Sequence, residues 1–161
     1  MSELFYNKDG ITVEKSTRED AEYIAKHMRQ ADVQEIFDSH HFSPEEAMDF
    51  TIKNTIFCLT VKVKGVPAII FGINGDSVLS ERGTIFMLGT DDIQKLRFRF
   101  VRHSRKFIDM MLEQYSYLYN FVSADNFLSV GWLKFLGAQI EDAKPYGMEQ
   151  RPFHYFSFSR S

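Results

Sequence analysis

The sequence predicts one α/β domain over residues 1–161, with a central mixed, mostly antiparallel sheet covered by helices on both faces. Three observations predict it. They are two capped helix starts near the N-terminus, an alternating strand pair around Lys64-Gly65, and a long amphipathic helix leading into an aromatic strand. A hairpin meander followed by a β-α-β unit makes a mixed sheet, because the crossover helix delivers one parallel pair.

Taken in order, Ile11-Thr12-Val13 reads as a short strand. Ser16-x-x-Glu19 then has the form of a capping box, in which the hydroxyl accepts from an orphan helical N–H and the carboxylate reaches back. Ala21, Ile24, Ala25 and Met28 follow at i, i+3, i+4 and i+7, one apolar helix face. The stretch 31–42 is partly helical in pattern. Ser43-Pro44-Glu45-Glu46 starts a second helix, with Pro at the first helical position and acids in the first turn. That helix should run to Asn54 and bury Ala47 and Phe50.

Phe57, Leu59, Val61 and Val63 alternate with Cys58, Thr60, Lys62 and Lys64, a half-buried strand. Lys64-Gly65-Val66-Pro67 turns the chain into a second strand over 68–73, which Asn74-Gly75-Asp76 ends. A third strand follows over 83–88. The long helix places Val101, Ser104, Ile108, Met111, Leu112 and Tyr115 on one face. An aromatic strand occupies 117–122. Asp125 or Asn126 then caps a short helix containing Val130, Trp132, Phe135 and Leu136, and Gly137 sits where a left-handed terminator belongs. Two strands, 139–143 and 153–158, close the order β-α-α-β-β-β-α-β-α-β-β.

Composition narrows the function classes. Hydrophobic residues make up 44% and aromatics 15%, with 16 Phe, enough for a packed core and outside the disordered class. The net charge of −3 means that nucleic-acid binding would need a local basic patch. Cys58 is the only cysteine, which excludes an internal disulfide and a Cys-rich zinc site. The N-terminal segment has no apolar leader, and the longest apolar run, 66–71, is too short to span a bilayer. The expectation is a soluble, unsecreted chain with no membrane insertion.

The segment Asn126-Phe-Leu-Ser-Val-Gly-Trp-Leu-Lys-Phe-Leu-Gly137-Ala138, together with the element order, resembles the GNAT (acyl-CoA N-acyltransferase) superfamily. The penultimate helix of that family runs from an Asn to a Leu-Gly-Phe with the same spacing. The end of this helix and the Arg/Lys-rich long helix also resemble a smaller group, the GNAT-like proteins of podophages that include internal virion protein A. This resemblance implies a phage protein of the host cytoplasm or the virion, partnered by other virion proteins or a host protein.

The wider resemblance implies acetyl transfer from acetyl-CoA to an amine, for which three features are needed. One is a glycine-rich loop whose backbone N–H groups cradle the pyrophosphate at a helix start. A second is a carboxylate acting as base, and the third a Tyr acting as acid. Each is missing. The helix opens Arg97-Phe98-Arg99-Phe100-Val101-Arg102 with no glycine, and Asp91 and Asp92 near Gly89 would repel pyrophosphate. Leu133 stands where the family has its Tyr, and residues 83–88 contain no acid, Glu81 preceding them in a loop.

The expectation is therefore a GNAT-fold phage protein without acyltransferase activity, with no catalytic residue, metal ligand or cofactor, acting in virion assembly. The alternative is an N-acetyltransferase with a divergent site. If acetyl-CoA binds, Leu88, Arg97, Arg99, Arg102 and Asn126 are the contacts, with an acid from Tyr119, Tyr146 or Tyr155. In that case the resemblance implies that the third and fourth sheet strands, counted from the long helix, splay to admit pantetheine, and a cleft filled by Phe98, Phe100 or Trp132 would argue against catalysis.

Another alternative is a module that binds nucleic acid or a host protein through Lys95, Arg97, Arg99, Arg102, Arg105 and Lys106, interleaved with Phe98, Phe100 and Phe107. A solvated cationic face explains the same residues, and nucleic acid is the less favoured partner. His40-His41 beside Asp38 or Glu45 has metal-ligand chemistry but reads more simply as a solvated loop. Nothing near Cys58 in sequence activates its thiol.

Overall fold

The first two strands, β1 (Leu4–Lys8) and β2 (Ile11–Lys15), form a hairpin where the sequence pattern shows only its second strand. Asp9 and Gly10 make the turn with φ of 58° and 77°. Two positive φ values match the right-handed twist of the flanking strands. The computed structural model describes residues 4–75 and 80–160. The predicted turn at Lys64-Gly65 has the same form, with φ of 50° and 82°. It joins β3 (Thr55–Val63) to β4 (Val66–Gly75), and β5 (Arg82–Gly89) follows. Asp76, expected to end β4, lies outside the described residues.

The remaining strands are β6 (Tyr117–Ser123), β7 (Gln139–Ile140), β8 (Lys144–Tyr146) and β9 (Arg151–Ser159). The sheet runs β1-β2-β3-β4-β5-β6-β9-β7, with β8 also on β9. Among the described residues every strand pair is antiparallel except β5–β6, as the predicted mixed sheet requires. The expected strand over 139–143 is shorter than predicted, and the chain adds β8 instead.

Strand alternation distributes the core between two faces. Cys58, Ile70 and Leu88 point to one face, where α1 (Arg18–Lys26), α2 (Gln30–His40) and α3 (Pro44–Asn54) bury Ala21, Ile24, Ile36, Ala47 and Met48. Leu59, Val61 and Ile69 point to the other, against Phe100 of α4 (Phe98–His103) and Phe107 of α5 (Arg105–Gln114). Ile73, Leu118 and Val122 pack there with Ile108, Met111 and Leu136, the last at the end of α6 (Phe127–Phe135). Ile24, Ile70, Ile73 and Leu118 are fully enclosed, and each contributes about 1.5–3 kcal/mol by leaving water.

Several local expectations shift. The α1 capping box is Thr17 and Asp20, one position after Ser16 and Glu19. Thr17 Oγ1 accepts the Asp20 N–H at 3.1 Å, while Ser16 Oγ is taken up at 2.8 Å by Thr60. The α3 box at Ser43 and Glu46 forms as expected. Phe50, expected inside, is 54% exposed, and Met48 and Thr51 occupy the buried face.

The long helix is broken at Ser104, whose Oγ donates to the Val101 carbonyl and accepts the Trp132 Nε1–H at 3.1 Å. Asp91 and Asp92 open a separate 3-10 turn, Asp91–Lys95, capped by Thr90. Gly137 does terminate α6 in the left-handed conformation, with φ of 88°.

Candidate functional site

The parallel pair β5–β6 opens into a fork. β5 and β6 are paired at Arg82–Tyr117, Gly83–Leu118 and Thr84–Tyr119, and then diverge. Asn120 Nδ2 donates to the Ile85 carbonyl at 2.7 Å, a side chain standing in for the next ladder bond. Beyond it lies a cavity of about 560 Å³, walled largely by Phe71, Phe100, Phe107, Trp132, Leu133 and Leu136. Phe100 and Trp132 thus line the fork without filling it. Phe98 is 64% exposed and lies outside it.

A pair of carboxylates from α2 ties the open ends of the fork. Asp32 and Glu35 sit one turn apart, so both reach the same side of the helix. Asp32 Oδ2 accepts the Gly89 N–H at the end of β5, at 2.9 Å. Glu35 Oε1 accepts the Ser123 N–H at the end of β6, at 2.7 Å. Each replaces a strand–strand bond that the splay forbids, and so prevents an unpaired buried donor.

Asn126 joins the two carboxylates. Its Nδ2 donates to Asp32 Oδ1 at 3.1 Å and to Glu35 Oε1 at 3.4 Å. Its Oδ1 accepts from Arg29 Nη1 at 3.2 Å, and Arg29 also donates to Asp32 at 2.7 Å. The chain places two acids and one guanidinium here, so ionising both acids leaves a net negative charge in a desolvated place. Burial pushes the Glu35 carboxyl up to about 7, with the neighbouring Asp32 charge adding to it. Burial also raises Asp32, offset by Arg29 and by the N–H groups that it accepts from. Glu35 is half-buried and lies on the cavity wall, which makes it the one acid there with a neutral-range affinity for a proton.

The predicted contacts divide. Leu88 does line the cavity. Arg97, Arg99 and Arg102 are exposed and away from it: Arg99 lies 3.8 Å from Asp9, and Arg102 sits over the Phe98 ring at 5.4 Å. Asn126 is correctly placed at the start of α6, but its side chain neither caps that helix nor faces the cavity. It is 2% exposed and committed to Arg29, Asp32 and Glu35.

Of the three tyrosines offered as acids, Tyr119 and Tyr146 line the cavity and Tyr155 does not. Tyr155 is pushed up to about 12 by burial and by its 2.6 Å hydrogen bond to Tyr117. Burial also raises Tyr146, which stacks on Phe121 at 3.9 Å. β5 itself carries no acid, and Glu81 lies outside it in a bend, as expected.

The other candidate ligands are spent elsewhere. His41 Nε2 lies 2.7 Å from Glu149, and His40 Nδ1 lies 2.8 Å from Ser39 Oγ. Of the two carboxylates expected beside them, Asp38 accepts from Gln34 instead, and Glu45 is exposed in the first turn of α3. Among the described residues, no three His, Cys, Asp or Glu side chains converge on a metal-sized space. Cys58 faces α1 and α3, donates to Ser16 Oγ at 3.2 Å, and is raised by burial, the opposite of an activated thiolate.

The cleft has room for a pantetheine-like chain, but the residues do not make a phosphate cradle. Loops that cradle diphosphate use glycine so that backbone N–H groups can come close. Here the helix start presents the side chains of Arg97, Phe98 and Arg99, without a cap bond. Leu133 on the cavity wall has no proton to give.

Comparison with known proteins gives two separate results. The sequence profile of the family described as "Bacteriophage T7, probable scaffold protein Gp13" matches residues 57–143, more than half of the chain. The chain belongs to this family. The matched stretch runs from within β3 through β7 and includes both arms of the fork. No curated protein sequence matches the chain.

The second result concerns the fold. The ribosomal-protein-S5-alanine acetyltransferase of Vibrio fischeri superposes with a TM-score of 0.67 at 16% identity, covering 99% of this chain and 96% of that one. A GNAT-family acetyltransferase of Bacillus anthracis gives 0.67 at 12% identity, covering 98% of each. The spermidine N-acetyltransferase of Vibrio cholerae, solved with CoA and spermine, gives 0.68 at 12%, covering 94% and 96%. This chain thus has the fold of the GNAT acetyltransferases. Identities this low carry the fold and no activity. Among the described residues, no helix is long and apolar enough to cross a membrane.

Proposed function

We propose that this chain is an assembly component of the phage particle, built on a GNAT fold and without acyltransferase chemistry. The observation that carries this reading is the start of α4. There the fold's phosphate cradle is replaced by Arg97-Phe98-Arg99, whose guanidinium groups face solvent rather than the cleft. Family membership supports the same reading, as does Leu133 in place of an acid. The podophage resemblance of α6 and the basic helix supports a role like that of the internal virion proteins, in the virion or the host cytoplasm. Its partners are then other virion proteins or a host protein.

Thermal denaturation with and without acetyl-CoA tests this. No shift is expected at millimolar ligand, whereas a ligand present at 100 times its Kd would stabilise the chain by about 2.7 kcal/mol. Stabilisation of that size would overturn the reading.

One observation favours a second reading, an N-acetyltransferase with a divergent site. Glu35, pushed up to about 7 on the cavity wall, has the affinity that a group accepting a proton from an amine needs. The same titration separates the two readings. A nucleic-acid role fits less well, because Phe100 and Phe107 are buried and leave only Phe98 of the three interleaved rings for stacking.

A further inference from the structure

Two faces of the molecule expose aromatic rings, and they carry opposite charge. The first is formed by α4 and α6. Phe127, Gly131 and Phe135 fall at i, i+4 and i+8, so they line one side of α6. Phe127 is 79% exposed and Phe135 46%, and Phe98 of α4 meets the Phe135 ring edge-on at 6.1 Å. A Cβ at Gly131 would meet nothing within 4 Å, so the ridge has an open notch between its two rings. Residues 95–108 supply Lys95, Arg97, Arg99, Arg102, Arg105 and Lys106 and no acid, and Lys134 is the only charge in 126–140.

The second face is formed by α2 and α3, across the sheet. Phe50 is 54% exposed and Phe37 46%. Phe37 stacks on His41 at 4.7 Å, and Phe42 lies 6.1 Å from Phe50. Of the carboxylates in 32–54, Asp32 and Asp38 are buried and Glu35 lies on the cavity wall, which leaves Glu45, Glu46 and Asp49 to this face against Lys53, which Asp49 holds at 2.8 Å. Glu45, Glu46 and Asp49 are exposed, and Glu149 adds a further carboxylate beside His41.

We propose that the chain binds a second copy of itself head to tail, with the Phe98/Phe127/Phe135 face of one copy seated on the acidic Phe37/Phe50 face of the next. Clustered exposed aromatics on a water-facing surface mark an interface, and the charges around each ridge select the other ridge over itself. The two faces lie on opposite sides of the sheet, so the contact uses different surfaces on the two copies. Such a contact does not close on a pair and extends into strings or rings. This deepens the assembly reading, since a subunit that chains with itself needs no chemistry in its cleft.

Sedimentation velocity from about 1 to 100 µM tests it, covering the affinity range of a weak self-contact. The expected result is a weight-average mass that rises with concentration, with association weakening roughly tenfold when salt rises to about 0.5 M. Two variants, Phe127→Ser/Phe135→Ser and Phe37→Ser/Phe50→Ser, each alter one exposed face. Each should keep the native circular dichroism spectrum and stay monomeric alone. Mixed in equal amounts they should form a dimer and nothing larger, because each retains the face that the other lacks.

A wild-type chain that is monomeric throughout the range overturns the proposal. So does a mixture of the two variants that stays monomeric, so does either variant dimerising on its own, which is the mark of a symmetric contact, and so does association that appears only with added oligonucleotide. Such failures leave the acetyl-CoA test of the assembly reading untouched, so the two claims fail separately.

Discussion

Replacing Glu35 by Gln is the perturbation whose effect the fork geometry fixes most sharply. The glutamine carbonyl can still accept the Ser123 N–H, so the tie between α2 and β6 survives while the ionisable proton is removed. Burial moves the Glu35 carboxyl from an ordinary 4.5 to about 7 in the folded chain. A raised acid pKa means that the folded state binds the proton more tightly than the unfolded chain. Its stabilising effect is therefore full below about 4.5 and is lost as pH rises through about 7. Integrating the linkage relation between pH 5 and pH 8 gives roughly 2.5 kcal/mol of stability lost by the wild type and not by Glu35→Gln.

Urea unfolding of both proteins at half-unit steps over that range measures the difference directly. The variant should match the wild type to within about 1 kcal/mol at pH 5 and exceed it by roughly 3 kcal/mol at pH 8. A difference that stays constant with pH would refute the reasoning, because it would mean that Glu35 ionises as an ordinary solvated glutamate.

Other perturbations follow from the same contacts. Asp32→Ala leaves Arg29 and the Gly89 N–H without their partner, and chemical denaturation should show a loss of about 3–5 kcal/mol. Gly72→Ala would place a Cβ 1.9 Å from the Phe57 carbonyl oxygen. The β3–β4 pair cannot absorb this, so soluble expression and thermal midpoint should both fall. Thr17→Ala removes the α1 cap and should cost about 1 kcal/mol by the same denaturation assay.

The hairpin turn at Lys64-Gly65, the Ser43 capping box and the Gly137 stop were legible because each is written in two to four adjacent residues. β1 was not read, although Asp9-Gly10 is the dipeptide that such turns favour, because its strand alternates poorly and Leu4 is exposed. The fork could be expected only through the family resemblance; nothing local in β5 or β6 marks where their pairing stops. Of the Asp32, Glu35 and Asn126 cluster, the sequence marks only Asn126, and for a different role. Asp32 and Glu35 look like solvated helix charges until the fold brings β5, β6 and the start of α6 around them, more than 50 residues away in sequence. The cue that existed was Asp32, Glu35 and Ile36 at i, i+3 and i+4, which puts two carboxylates on the same side as a buried aliphatic residue. The arginines misled for the complementary reason, since a cationic run at a helix start predicts phosphate contact only if the loop before it lets a ligand close.

The central claim is that this GNAT fold has given up its cofactor. Calorimetric titration of the wild-type chain with acetyl-CoA at pH 7 tests it most directly. The account predicts no saturable heat up to about 1 mM ligand, an affinity weaker than about −4 kcal/mol. A saturable one-to-one isotherm in the micromolar range, lost when Trp132 is replaced by a polar residue on the cavity wall, would contradict it.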